Sequence, residues 1–189
     1  MPWPLFIQKS FNNVNFPASE NSWYGPWNTL LTSVLFPATE GFEVAPQGPD
    51  NSFGVGHCTV DFVILFLVSR NKVPVFFIEV KPPQHLDSIA SREAADKQMR
   101  DRFRSLGEGL EISTLHGISA MGRKFALYTL TAASIDPQPI ARDEATINDV
   151  APKSRWVLDV LDADGEAELT RIVDEVKEMS ANLLNEAEA

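Results

Sequence analysis

Apolar positions recur along this chain with two periods, and each period predicts its own elements. From Val73 to Val80, six of eight residues are large and apolar and four are β-branched, which predicts a strand buried on both faces. Pro82 and Pro83 end it, because neither can donate to a sheet ladder. Thr59 to Val68 repeats the pattern with one interruption, at Asp61, and Ser69 to Lys72 predicts the turn of a hairpin. Thr114 to Ala120 and Lys124 to Thr131 predict two further strands around Met121-Gly122-Arg123. Gly41 to Ala45 and Trp156 to Val160 predict short ones.

The helical period appears in Trp27, Leu30, Leu31, Val34 and Leu35, one face of a helix over 26–36 with Pro26 in its first turn. An irregular turn back to Glu20 is compatible with it. A second helix runs from Asp87 to about Leu106, and an amphipathic one from Glu166 to Leu184 with Leu169, Ile172, Val173, Val176, Met179 and Leu183 on its apolar side. Residues 1–18 show no period and predict an arm on the surface. Residues 46–58 form a glycine-rich loop, and 133–155 a Pro- and Asp-rich connection. The pattern predicts an α+β protein of one domain over 1–189, with a core at 19–131 and an extension at 132–189.

Charge changes the picture in one respect. The net charge is −10, but residues 1–134 carry 11 basic and 12 acidic side chains, against 5 and 14 in 135–189. The acidity belongs to the extension and leaves the rest of the surface near balance. Cys58 is the single cysteine, so an internal disulfide is excluded and a reducing compartment is expected. The start lacks a signal-peptide pattern, and Phe62–Val68, the longest apolar run, is too short to span a bilayer. The expectation is an intracellular protein, cytoplasmic or nuclear, with no membrane partner.

The candidate chemistry lies in the hairpin. Glu79 and Lys81 share one face of their strand, since side chains alternate. Burying both ions costs several kcal/mol each unless they pair or bind something. A bulge or an odd-numbered turn brings Asp61 to that face, whereas a two-residue Arg70-Asn71 turn sends it to the other. A plain structural ion pair between Glu79 and Lys81 competes with a functional role. His57, His85 and His116 lack metal-type spacing, and Trp23, Tyr24 and Trp27 read as packing.

An acid in one strand, Glu79-Val80-Lys81 ending the next, and a helix before and after them resemble the PD-(D/E)XK nuclease-like superfamily. The chain also looks similar to fungal proteins of this fold, through Ile78-Glu79-Val80-Lys81-Pro82-Pro83 and Ala95-Asp96-Lys97-Gln98-Met99-Arg100. The resemblance covers about 19–131 and implies a restriction-endonuclease-like core, a mixed sheet flanked by helices, to which this chain adds an acidic C-terminal helix. It implies a metal-dependent nuclease in which Asp61, Glu79 and the Val80 carbonyl hold Mg²⁺ or Mn²⁺, Glu20 joins them, and Lys81 acts on the attacking water. It implies nucleic acid as partner, DNA ahead of RNA, with Gln98, Lys97, Arg100 and Arg104 facing it, and a homodimer is compatible with it. The chain departs from the pattern in having Val60 before Asp61; its literal Pro-Asp is Pro49-Asp50, which makes Asp50 the second candidate ligand. Two alternatives stand beside the nuclease: an inactive module of the same fold that binds nucleic acid or protein, and an unrelated α+β domain. The acids Glu93, Asp96 and Asp101 also allow the basic helix to be a solvated face with internal pairs.

Overall fold

A computed structural model describes residues 2–47, 65–108, 110–143, 145–146 and 148–185. In chain order the main elements are α1 (Leu5–Asn12), α2 (Asn21–Leu30), β1 (Glu43–Gln47), β2 (Leu65–Arg70), β3 (Val73–Lys81), α3 (Ile89–Gly107), β4 (Thr114–Met121), β5 (Lys124–Thr131), β6 (Ile135–Asp136), β7 (Leu158–Asp159) and α4 (Ala163–Asn185). Among the described residues the strands make one mixed, open sheet in the order β1-β2-β3-β4-β5-β6, with β7 also against β5. The β3–β4 pair is parallel and the other pairs are antiparallel. Parallel neighbours need a crossover, and α3 supplies it.

The β2–β3 hairpin turns on Asn71 and Lys72, both at positive φ, as a two-residue type I′ turn requires. The pairing then shifts by one residue, from Arg70↔Val73 and Ser69↔Pro74 to Val68↔Phe76, which leaves Val75 as a bulge. Pro74, with no N–H to give, sits beside this irregularity. Beyond the bulge Leu65 pairs with Glu79.

Aromatic contacts identify the two faces of the sheet. Phe77 packs on Phe103 of α3 with centroids 4.8 Å apart, and alternation puts Glu79 and Lys81 on this side. Gly117 of β4 lies beneath the pair; a Cβ there would come within 2.6 Å of Phe77. On the other face Phe76 meets Phe36, which follows α2, and Trp27 of α2 meets Phe125 and Phe11. The acidic helix α4 packs on the sheet through Leu169, Ile172, Val173 and Val176, all buried.

Two expectations are corrected. The first 18 residues are not a loose arm: α1 buries Ile7 and Phe11, and Trp3 donates from Nε1 to the Val160 carbonyl at 2.6 Å. Trp3, Ile7 and Phe11 recur every fourth residue, a helical spacing obscured by the prolines and asparagines around it. Pro26 does not open its helix but lies inside α2, which begins at Asn21 and passes into a π turn at Leu31–Leu35. No helix among the described residues is long and apolar enough to cross a membrane.

Candidate active site

The end of β3 is fastened before any chemistry is considered. The Gly122 amide, in the β4–β5 turn, donates to the Lys81 carbonyl at 3.0 Å, and Trp27 Nε1 donates to the Gly122 carbonyl at 3.0 Å. Pro82 and Pro83 lead into a 3₁₀ turn at Pro83–Asp87, whose Gln84 amide donates to the Ala18 carbonyl at 2.7 Å. The strand end is thereby tied to the segment just before α2.

Glu79 is 3% exposed and Lys81 5%, both at the core end of β3. No ion pair within 4.0 Å joins them. Glu79 Oε2 is buried without a hydrogen-bond partner among the described residues. Burial pushes the Glu79 carboxyl above its ordinary range; Lys81 and Arg102 pull it back, while Glu20 and Asp101 push it further up. Four charged groups, one from β3, one from the residue before α2 and two from α3, thus act on one buried carboxylate.

Glu20 directly precedes α2 without capping it through its side chain, and accepts a hydrogen bond from the Tyr24 hydroxyl one turn later. Its charge reaches Glu79 from the α2 end of the sheet. Gln98 lies on α3, its Oε1 buried and, like Glu79 Oε2, without a partner among the described residues. Val80, between the two ions, points to the opposite face and is fully buried. Asp61 and the second candidate Asp50 lie outside the described residues, as do His57 and Cys58. Among the described residues, no group of three or more His, Cys, Asp and Glu gathers in the manner of a metal site.

The basic residues of α3 divide sharply. Arg100 is 7% exposed and is held by Asp96 at 2.9 Å and by the Pro137 carbonyl at 2.6 Å. Asp96 also accepts from Tyr128 and Arg155, and this environment raises the Tyr128 pKa, burial being the main cause. Arg100 is therefore committed to the interior, contrary to the expectation that it faces a nucleic acid. Lys97 and Arg104 are exposed, and both pair with Asp101, at 2.7 and 2.6 Å. The residue that sequence reasoning passed over is Arg102, half-buried and acting on Glu79. Its signal was faint: it stands one helical turn after Gln98, on the same side of α3.

Comparison with known protein families, with curated proteins and with solved structures finds no match.

Proposed function

We propose that the protein is a metal-dependent nuclease of the PD-(D/E)XK type, cleaving phosphodiester bonds at the end of β3. The observation that carries this reading is the state of Glu79. It is a buried carboxylate with one oxygen unpartnered among the described residues, within electrostatic reach of a buried lysine but not paired with it. A structural ion pair would satisfy both groups directly, since burying two charges is tolerated only with good mutual geometry. Two charges kept apart in the core fit a third participant instead.

The order α2, β1, β2, β3, α3, β4, with a parallel β3–β4 pair, also matches the core expected of that superfamily. The donors fit a hard cation, which prefers oxygen ligands. Glu79 and Glu20 would hold it, with Asp61 and the Val80 carbonyl assigned by sequence alone. When bound, Mg²⁺ or Mn²⁺ supplies charge neutralisation and lowers the pKa of water. Lys81, fixed through its own carbonyl, brings an ammonium to the same face of β3, where it would stabilise negative charge developing on the phosphate. The raised pKa of Glu79 has a consequence of its own: proton and cation compete for the same carboxylate.

Incubation of the protein with DNA and RNA, with Mg²⁺ or Mn²⁺ and with EDTA, tests the reading. Cleavage that needs the metal and vanishes in Glu79→Gln and Lys81→Ala supports it. The absence of cleavage under all conditions overturns it. One observation favours the alternative, an inactive binding module: most cations of α3 are neutralised within the protein. That alternative predicts binding of nucleic acid, or of a protein, without cleavage.

A further inference from the structure

Helix α3 carries five cations, and four of them are engaged by the protein itself. Arg92 pairs with Asp149 and donates to the Leu86 and Ala151 carbonyls at 2.7 and 2.9 Å. Arg100 is enclosed with Asp96, while Lys97 and Arg104 share Asp101. Arg102 makes no ion pair and no side-chain hydrogen bond with any described residue. It is also not a solvent-swept side chain, being half-buried. Beside it Met99 and Phe103 are buried against the sheet, and one turn earlier stands Gln98 with its buried, unpartnered Oε1. The Arg102 charge reaches Glu79. Phe103, its neighbour, packs on Phe77 of β3, so Arg102 belongs to the helix that covers the Glu79 face of the sheet. A guanidinium partly desolvated and unpaired among the described residues over that face is placed for an anion from outside the protein.

We propose that Arg102 is the phosphate-binding residue of this site, taking the non-bridging oxygens of the substrate's phosphodiester group; this rests on the nuclease reading above. Arginine suits the task because its planar fork presents parallel donors to two phosphate oxygens, which a lysine cannot reproduce. The position also explains why Arg102 is left unpaired. A carboxylate partner such as those of its four neighbours would have to be displaced by every incoming phosphate. The anion-facing role that the sequence assigned to Lys97, Arg100 and Arg104 passes to the one arginine they flank.

The experiment measures binding of a labelled single-stranded DNA and of its duplex to the full-length protein in EDTA, as a function of salt. Arg102→Gln is expected to weaken binding roughly tenfold, the loss of one charge-assisted contact. It should also flatten the dependence of log affinity on log salt by about 0.7–0.9. Arg102→Lys restores the slope, because the charge returns, but not the full affinity. Arg171→Gln, an equal loss of charge on α4, leaves both unchanged. Carboxyl NMR of Glu79 provides a second readout: Arg102→Gln raises its pKa further whether or not nucleic acid is present, which also establishes that the variant is folded. If the wild type cleaves nucleic acid and Arg102→Gln matches it in affinity and slope, the assignment of Arg102 is overturned and the nuclease reading stands; binding without cleavage overturns the nuclease reading. A wild type that neither binds nor cleaves overturns both.

Discussion

The Gly122 amide donates to the Lys81 carbonyl at 3.0 Å, so a turn between two other strands sets where β3 ends. Gly122 is at φ +64°, and a Cβ there would lie 2.9 Å from Pro83 Cβ and 3.3 Å from Trp23. Gly122→Ala therefore meets both an unfavourable backbone conformation, worth about 1–2 kcal/mol, and a contact that pushes on Pro83. The expected outcome is a lower denaturation midpoint and, on the proposed function, reduced cleavage of nucleic acid, because the same turn holds the Lys81 carbonyl. A variant as stable and active as the wild type would dissociate the turn from the site.

Asp96 accepts hydrogen bonds from Arg100, Arg155 and Tyr128, so the cluster is internal. Asp96→Asn leaves two buried guanidinium groups without their counter-charge and should destabilise by roughly 3–5 kcal/mol. Chemical denaturation checks this, and a loss under about 1 kcal/mol would return Arg100 to the surface role.

How much of this was legible in the sequence depends on what each residue's neighbours reveal. β3 could be read to the residue, since an unbroken apolar run ends in two prolines. β5 was equally clear, because the Met121-Gly122-Arg123 turn sets where it starts. The segment of β2 was readable as apolar, but its register against β3 depended on the Val75 bulge, which no local pattern announces. The fates of the α3 cations were not legible either. Charge spacing lists candidate partners for Arg100 on its own helix, but Arg155 and Tyr128 reach Asp96 from distant segments. Burial of Arg100 is a tertiary outcome of that convergence. Arg102 looked like one more basic residue until the pairs around it were known.

Asp101 holds both Lys97 and Arg104, and its charge raises the Glu79 pKa. Asp101→Asn should free two cations beside the site. The expected result is tighter nucleic-acid binding with a salt dependence steeper by up to about 0.7–0.9 per freed contact, and a lower Glu79 pKa. Weaker binding would show that Asp101 itself serves the partner.

His116 of β4 is buried beneath α4, with Nδ1 3.2 Å from the Thr129 hydroxyl and Nε2 3.2 Å from Glu175 but poorly aligned for a hydrogen bond. Burial lowers its pKa below 6.5 and Arg171 adds to this, whereas Glu175 and Glu168 oppose it. The folded state thus binds fewer protons than the unfolded one. The stability this contributes is fully present above pH 6.5 and is lost as pH falls through the lowered value. Urea midpoints between about pH 7.5 and about pH 5 should therefore fall more steeply in the wild type than in His116→Gln. Parallel pH profiles would contradict the assignment.

Thermal melts of the wild type and Glu79→Gln, each with and without Mg²⁺ or Mn²⁺, test the central claim most directly. The raised carboxyl pKa means that folding loses stability as pH rises through it, so without metal Glu79→Gln should be the more stable protein above that pH. Metal at a hundredfold excess over Kd should stabilise the wild type by about 2.7 kcal/mol, and the Gln variant should lose most of that gain. If Glu79 instead serves only to neutralise Lys81, the substitution strands a buried charge. The variant would then be destabilised by roughly 3–5 kcal/mol, and metal would leave the wild-type melt unchanged.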